Sequence, residues 1–423
     1  MRKRLLALTA ILLSFTLLAA ACGDDDDAET VAEPEPAAAE PEPAAEPEDD
    51  HDDEADHEGH DHDEDEAHHD DEDDHDHDED EAHHDDEDDH DHDEDEMAEP
   101  EMTDVSVGLV FDIGGRGDQS FNDSAAAGIE RAAAELGITF TEASPEPDGS
   151  NRGELLQLAA SEHDIVIGVG FLFEGDAAAV GAENPDTKFG VVDSAMMDWG
   201  AGAPYGDNIA GLVFAEHEGS FLVGAAAALK SETGTIGFIG GVANVGGLIE
   251  RFEAGFNAGA RAVNPDIEII GDYITEAPDF DGFNAPDRAK EIALAMYEEG
   301  ADIVYHAAGG SGAGLFQAAL EQSEATGSKV WAIGVDSDQY HTADAGVRDY
   351  ILTSMLKRVD VSIFEMIRSV LDGTMQPGPT AYDLSVDGVG YSTSGGFVDD
   401  IADQLEALKA QIVSGEITVP TEP

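Results

Sequence analysis

Three aspartates and one lysine stand where apolar runs of this chain end. Asp112 closes "VSVGLVFD", Asp193 lies in "KFGVVDS", Asp336 in "KVWAIGVDSD", and Lys357 follows "YILTSML". An ionised carboxylate is an acceptor-only group whose two oxygens can take two N–H or O–H donors of one ligand. A lysine placed among such groups limits the cost of desolvating them. Next to Asp112, "VFDIGGRGDQSFNDS" (110–124) adds two adjacent glycines, through which backbone can approach a ligand, and then Phe121 and Asn122. Gly309 and Gly310, after "DIVYHAA", make a second turn of that kind. This set fits recognition of a ligand better than its transformation. There is no Walker A sequence, no G-x-S-x-G, no H-E-x-x-H and no cysteine pair. "GGSGAG" (309–314) departs from dinucleotide-binding spacing, and His163, His217, His306 and His341 are scattered, with His306 alone expected near the site. No catalytic constellation emerges, and neither enzymatic activity nor a cofactor is expected. "RGD" at 116–118 is a chance-length match inside the same turn.

The elements that must position these residues alternate between strand and helix. Strand-like runs fall at 105–112, 138–143, 164–170, 188–194, 208–216, 234–241, 267–274, 302–309, 329–338 and 350–356. Helical segments between them include 123–136, 217–231, 246–263, 286–299 and 312–326. Near-continuous apolar runs separated by helices mark parallel sheets covered on both faces. Ten such runs exceed one sheet of this kind, and the pattern restarts near residue 233, so the expectation is an α/β protein of two doubly wound lobes. Ligands of such sheets bind beyond the C-terminal ends of the strands, where the aspartates and glycines lie. One cleft between the lobes would collect them. The expected division is 103–215 plus about 349–375 for the first lobe, and 216–348 plus about 376–423 for the second.

Charge narrows the partners. Of 97 acidic residues, 44 lie in the first 100 positions, and the remaining 53 against 15 bases leave the rest near −38. Nucleic acid is excluded as a partner, since phosphate would be repelled and no basic patch exists. Arg2, Lys3 and Arg4 precede the apolar "LLALTAILLSFTLLAAA" (5–21), which reads as a signal peptide over 1–21. Cys22, the only cysteine, ends "LAAAC", which resembles a lipobox and marks an acylated residue. The protein is then expected on the outer side of the cell membrane, tethered to the bilayer by acyl chains such as palmitate.

Residues 22–102 hold nothing that could build a core. A Pro/Glu/Ala run leads into a repeat, "DHDEDEAHHDDEDDH" at 61–75 and again at 76–90. Of the 46 residues from 51 to 96, 30 are acidic and 12 are histidine, so the ordering entropy cannot be offset and a disordered, self-repelling tether is expected. Imidazole beside carboxylate makes a weak, multiple site for Zn²⁺, Ni²⁺ or Cu²⁺, with His62, His68, His69, His75, His77, His83, His84 and His90 as candidate ligands. A plain solvated stalk is the simpler reading.

Beyond the residues themselves, "VFDIGGRGDQSFNDSAAAGIERA" resembles the opening motif of the basic membrane protein family of lipoproteins, which includes purine nucleoside receptors of ABC transporters. Further matches follow in order: "GVVDS" (190–194), "GFIGGVANVGGLIERFEAGFNAGAR" (237–261), "HAAGGSGAGLFQAA" (306–319), "GVDSDQ" (334–339) and "TSMLKRVD" (353–360). The resemblance covers about 104–420 and implies a type I periplasmic-binding-protein fold with three hinge crossings, closing on a purine nucleoside for an ABC permease. It implies ligand-binding roles for Asp112, Phe121, Asn122, Asp193, Asp336 and Lys357, with Gly309 and Gly310 beside them and Phe283 as second aromatic, Phe280 being the alternative. Two phenylalanine faces can sandwich a base for roughly 1–3 kcal/mol per stacked base. Asp336 is the candidate for the ribose diol, and Asp112 and Asp193 for base N–H groups or the 5′-hydroxyl. A sugar or a signalling molecule on the same fold, a metal-capturing lipoprotein, and a nucleoside-processing enzyme remain as alternatives.

Overall fold

The computed structural model describes residues 102–423. The signal segment, Cys22 and the histidines of the repeat lie outside the described residues. The strands are β1 (Ser106–Val110), β2 (Thr139–Ala143), β3 (Ile165–Gly168), β4 (Lys188–Val192), a short hairpin of β5 (Met197–Asp198) and β6 (Ala203–Pro204), β7 (Ile209–Phe214), β8 (Thr235–Ala243), β9 (Glu268–Glu276), β10 (Ile303–Ala307), β11 (Trp331–Asp336), β12 (Ile351–Lys357), β13 (Gly378–Tyr382) and β14 (Val389–Tyr391). The helices are α1 (Phe121–Leu136), α2 (Arg152–Glu162), α3 (Glu174–Glu183), α4 (Glu216–Lys230), α5 (Leu248–Val263), α6 (Pro286–Glu298), α7 (Gly312–Thr326), the single turn α8 (Gln339–Thr342), α9 (Val359–Leu371) and α10 (Ala402–Val413).

Two six-stranded sheets result. The first runs β2-β1-β3-β4-β7-β13 and is parallel throughout. The second runs β9-β8-β10-β11-β12-β14, with only the edge strand β14 antiparallel. Central strands are covered on both faces: Ile165, Val166 and Ile167 of β3, and Ile303, Val304 and Tyr305 of β10, are all solvent-free. That double burial explains why their sequences are apolar runs without alternation.

The chain crosses between the sheets at Ala215, at Arg358 and over Asp383–Gly388. The crossings are laced together, since Ala215 N–H donates to Tyr382 C=O and Arg358 N–H to Gly388 C=O. Strand pairing corrects the expected lobe division in two places. Residues 351–357 pair with β11 and belong to the second sheet, and 378–382 pair with β7 and belong to the first. An apolar run such as "YILTSML" suits either sheet edge, and only the packing of its neighbours decides which one it joins.

Helices α4 and α5 pack against each other through a seam of small residues. A Cβ on Gly224 would stand 2.1 Å from the Phe256 carbonyl oxygen, and one on Gly255 2.1 Å from that of His217. Only glycine allows this approach, which brings Glu216 at the start of α4 up to Arg251 on α5.

The two lobes are closed on one another. The Ser120 hydroxyl donates to the Val335 carbonyl and to Asp336 Oδ2, and Ser337 Oγ donates to the Ser120 carbonyl. Gln339 Nε2 and Thr342 Oγ1 both donate to the Gln119 carbonyl.

Candidate ligand-binding site

Between the sheets lies a narrow cavity of about 60 Å³, part of it open to solvent. Asp112, Ile113, Asp118, Phe121, Asn122, Phe171 and Asp193 line it from the first lobe. Leu248, Ile249, Phe252, Phe283, Ala307 to Gly310, Val335, Asp336 and Lys357 line it from the second. Every residue expected in the site from the sequence is therefore brought to this one cavity.

The polar groups sit at strand ends for a topological reason. Parallel strands point their C-termini the same way, so the residues after β1, β4, β10 and β11 converge. Asp193 and Asp336 both adopt the left-handed conformation, with φ of 63°. This is uncommon for a residue other than glycine and turns each carboxylate back toward the cleft.

Asp112 is braced rather than free. Its Oδ1 accepts the Ile113 N–H at 2.8 Å and lies 3.6 Å from Arg152 Nη2. Burial pushes its carboxyl up to about 6, against the pull of that N–H and of Arg152. Asn122 lines the cavity, but its amide is engaged: Oδ1 accepts the Asp112 N–H, and Nδ2 donates to the Ile113 carbonyl and to Asp118 Oδ2. Its main work is to shape the turn.

The cap of α1 falls to Asp118, which accepts the N–H groups of Ser120, Asn122 and Asp123. Asp123 instead accepts the N–H groups of Gly117 and Gln119. The glycine-rich turn is thus held from inside by carboxylates, and Phe121, as the first residue of the helix, faces the cavity.

Lys357 is the centre of charge. Its Nζ donates to Asp193 Oδ2 at 2.7 Å and stands 3.8 Å from Glu216 Oε1. It is 2 % exposed and lies over three rings, Phe121, Phe214 and Phe252, at 5.0, 5.1 and 5.5 Å. Burial works against its charge, but Asp193, Glu216 and Asp336 outweigh burial and hold its pKa above the usual lysine value. Asp336 accepts from Ser120 Oγ at 2.7 Å, and burial pushes it up to about 6 despite Lys357 and that hydroxyl. Buried carboxylates outnumber the buried cations Lys357 and Arg152, so an anionic ligand would be repelled.

Of the two candidate aromatics, Phe283 and not Phe280 lines the cavity. Phe283 lines the cavity against Gly241 and Gly309, whereas Phe280 touches the site only through Phe171, edge-on at 6.2 Å across the lobes. Phe171 and Phe252 complete the apolar lining; neither was expected from the sequence. Phe252 belongs to an ordinary amphipathic stripe of α5, and Phe171 follows β3 in a turn without polar markers. Glu216 was also missed, because an acid at the first position of a helix reads as a dipole-complementing residue. His306 is solvent-free beneath the cavity, bonded through Nε2 to Gln339 Oε1, and burial holds it down at about 4. It is a neutral structural group.

Comparison with known proteins agrees with this geometry. The family of ABC transporter substrate-binding proteins described as PnrA-like matches residues 105–422. The CD4+ T-cell-stimulating antigen of Listeria innocua is 35% identical over 337 residues, covering 76% of this chain and 89% of that protein. The ABC transporter nucleoside-binding protein BmpA of Lactococcus lactis is 32% identical over 335 residues, covering 76% and 90%. Among solved structures, a solute-binding protein of an ABC transporter system from Aeropyrum pernix is 28% identical with a TM-score of 0.64, covering 75% of this chain and 93% of that one. A second such protein, from Conexibacter woesei, shares the fold at 22% identity and a TM-score of 0.59, covering 75% and 99%. The cleft, the two doubly wound lobes and these likenesses together place the chain in the PnrA-like (basic membrane protein) family of ABC transporter substrate-binding proteins.

Proposed function

We propose that this protein is a lipid-anchored receptor that captures a purine nucleoside outside the membrane and presents it to an ABC permease. One observation carries the reading: the cavity joins an aromatic wall (Phe121, Phe171, Phe252, Phe283) to a charged floor of Asp336, Asp193 and Lys357. A nucleoside has that same division, a flat apolar base and a ribose rich in hydroxyl donors. Stacking favours the base by roughly 1–3 kcal/mol. Asp336 accepts the vicinal ribose hydroxyls, and Asp112 and Asp193 accept from the base or the 5′-hydroxyl. The excess of buried carboxylate excludes nucleotides. A relative named as a nucleoside-binding protein supports the same ligand class. Closure about the three crossings removes water from the hydrogen bonds and so strengthens them. Acylation of Cys22 would hold the receptor at the membrane, with the acidic segment as its reach.

The test is a thermal-shift screen of purified protein, first unfolded and refolded to strip carried-over ligand, against nucleosides, free bases, sugars and divalent metals. A nucleoside at 100 times its Kd should add about 2.7 kcal/mol of stability. Asp336→Ala should weaken a nucleoside at least tenfold and the free base hardly at all. A response to a sugar alone would overturn the nucleoside assignment, and equal losses for nucleoside and base would remove Asp336 from the ribose.

A further inference from the structure

The ring of groups around Lys357 contains one carboxylate that touches no part of the cavity. Glu216 is 1 % exposed, and its Oε2 is buried without a hydrogen-bond partner. Its nearest cations, Lys357 Nζ at 3.8 Å and Arg251 Nη1 at 3.7 Å, both stand beyond hydrogen-bond length. A buried carboxylate with one oxygen left without a hydrogen bond takes up a proton more readily than a hydrated one. Its position in the chain adds a second fact. Glu216 is the first residue after the crossing at Ala215, and Lys357 the last before the crossing at Arg358, so the pair spans two strands of the hinge.

We propose that Glu216 is a positioning residue for ligand capture: when the lobes close it takes up a proton from solvent, and in its neutral form it leaves the Lys357 ammonium committed to Asp193 and the ligand. Ionised, Glu216 competes for that ammonium and draws it toward the hinge. This inference rests on the nucleoside reading of the cavity, since Lys357 is the group through which Glu216 acts.

The groups facing Glu216 are Lys357 from β12, Asp193 after β4, Arg251 from α5, and Tyr305 from β10. Asp336 lies on the far side of Lys357, and His217 follows Glu216 on its own helix. Burial raises Glu216 first, and Asp193 adds to that effect, while Lys357 and Arg251 oppose it, leaving the closed-state carboxyl near 7. Opening the cleft would part Asp193 of the first lobe from Lys357 and Glu216 and admit water beside the carboxyl, which would return toward its ordinary value. The sign follows: the closed state binds the extra proton, so affinity is greatest at low pH, falls as pH rises toward 7, and levels off above it.

Between pH 6.5 and pH 8 nucleoside affinity should fall about fourfold in the wild type, with about half a proton taken up per ligand at pH 7. Proton uptake is read by titration calorimetry in buffers of different ionisation enthalpy. Glu216→Gln, which mimics the neutral form, should bind with an affinity that does not change between pH 6.5 and pH 8 and take up almost no proton at pH 7. Arg251→Gln, at a half-exposed residue outside the cavity, should keep the fold and move the falling limb to higher pH. A Glu216→Gln protein with the wild-type pH profile and wild-type proton uptake overturns the role of Glu216 while leaving the nucleoside reading in place. A wild-type protein that releases no heat with any nucleoside from pH 5.5 to pH 8 overturns both.

Discussion

Removing the Lys357 ammonium tests the electrostatic design of the cleft directly. In Lys357→Met the chain keeps its length and apolar stem, but Asp193, hydrogen-bonded to it at 2.7 Å, loses its buried cation. At an effective dielectric of about 20 that single contact is worth about 6 kcal/mol before the cost of burying the ammonium is subtracted. Breaking one partner of a buried pair costs about 3–5 kcal/mol net. For a folded unit of this size that corresponds to a fall in Tm of roughly 4–7 °C. The loss depends on pH in a definite direction. Glu216 and Asp336 already sit near 7 and 6 in the folded protein, and without Lys357 both move further up. Acids raised on folding contribute stability that is present below their unfolded values and lost as pH rises through their folded ones. The deficit should therefore be small at pH 4, larger at pH 5 and full at pH 8, measured by urea denaturation of variant and wild type side by side. Lys357→Met/Asp193→Asn should recover at least half of it, because both charges are then gone. A deficit below 1 kcal/mol at pH 8, or one of equal size at pH 4 and pH 8, would refute the reasoning.

Two further outcomes follow from the same geometry. Phe283→Ala should weaken every aromatic ligand by roughly 1–3 kcal/mol, while Phe280→Ala, which meets the cavity only through Phe171, should leave equilibrium affinity within a factor of about three and act on ligand release instead; isothermal titration of the two variants separates them, and a larger loss for Phe280→Ala would reverse the assignment. Gly170 has φ of 108°, and a Cβ there would lie 2.2 Å from Asp112 Oδ2. Gly170→Ala should displace that carboxylate and cost at least tenfold in affinity with the fold retained, as judged by ligand titration alongside circular dichroism; unchanged affinity would show that Asp112 does not face the ligand.

Much of the site was legible because its polar members fall where parallel strands end. Asp112, Asp193, Asp336 and Lys357 each interrupt an apolar run, and a strand-end carboxylate stands out against the run before it. The aromatic and supporting residues were less legible for the opposite reason. Phe252 belongs to the same stripe that packs α5 onto its sheet, and nothing local separates a ring facing a cavity from one facing the core. Asp118 serves as a helix cap, and Glu216 has the look of one, so a local explanation conceals what lies beside each of them. Phe280 and Phe283 lie three residues apart in one short helical turn, and a rotation of that turn decides between them.

The linear order of residues determined the α/β alternation, the restart of the pattern near residue 233 and the gathering of acids at one edge of the strands, since burial on both faces demands apolar runs and hydrated ends demand polar ones. Tertiary structure alone decided that 351–357 and 378–382 exchange sheets, and that Lys357 meets a carboxylate 164 positions away. It alone decided that Glu216 is left buried with no hydrogen bond to one oxygen. Those outcomes depend on which surfaces come together when the lobes pack, and contacts between distant segments leave no local mark on either.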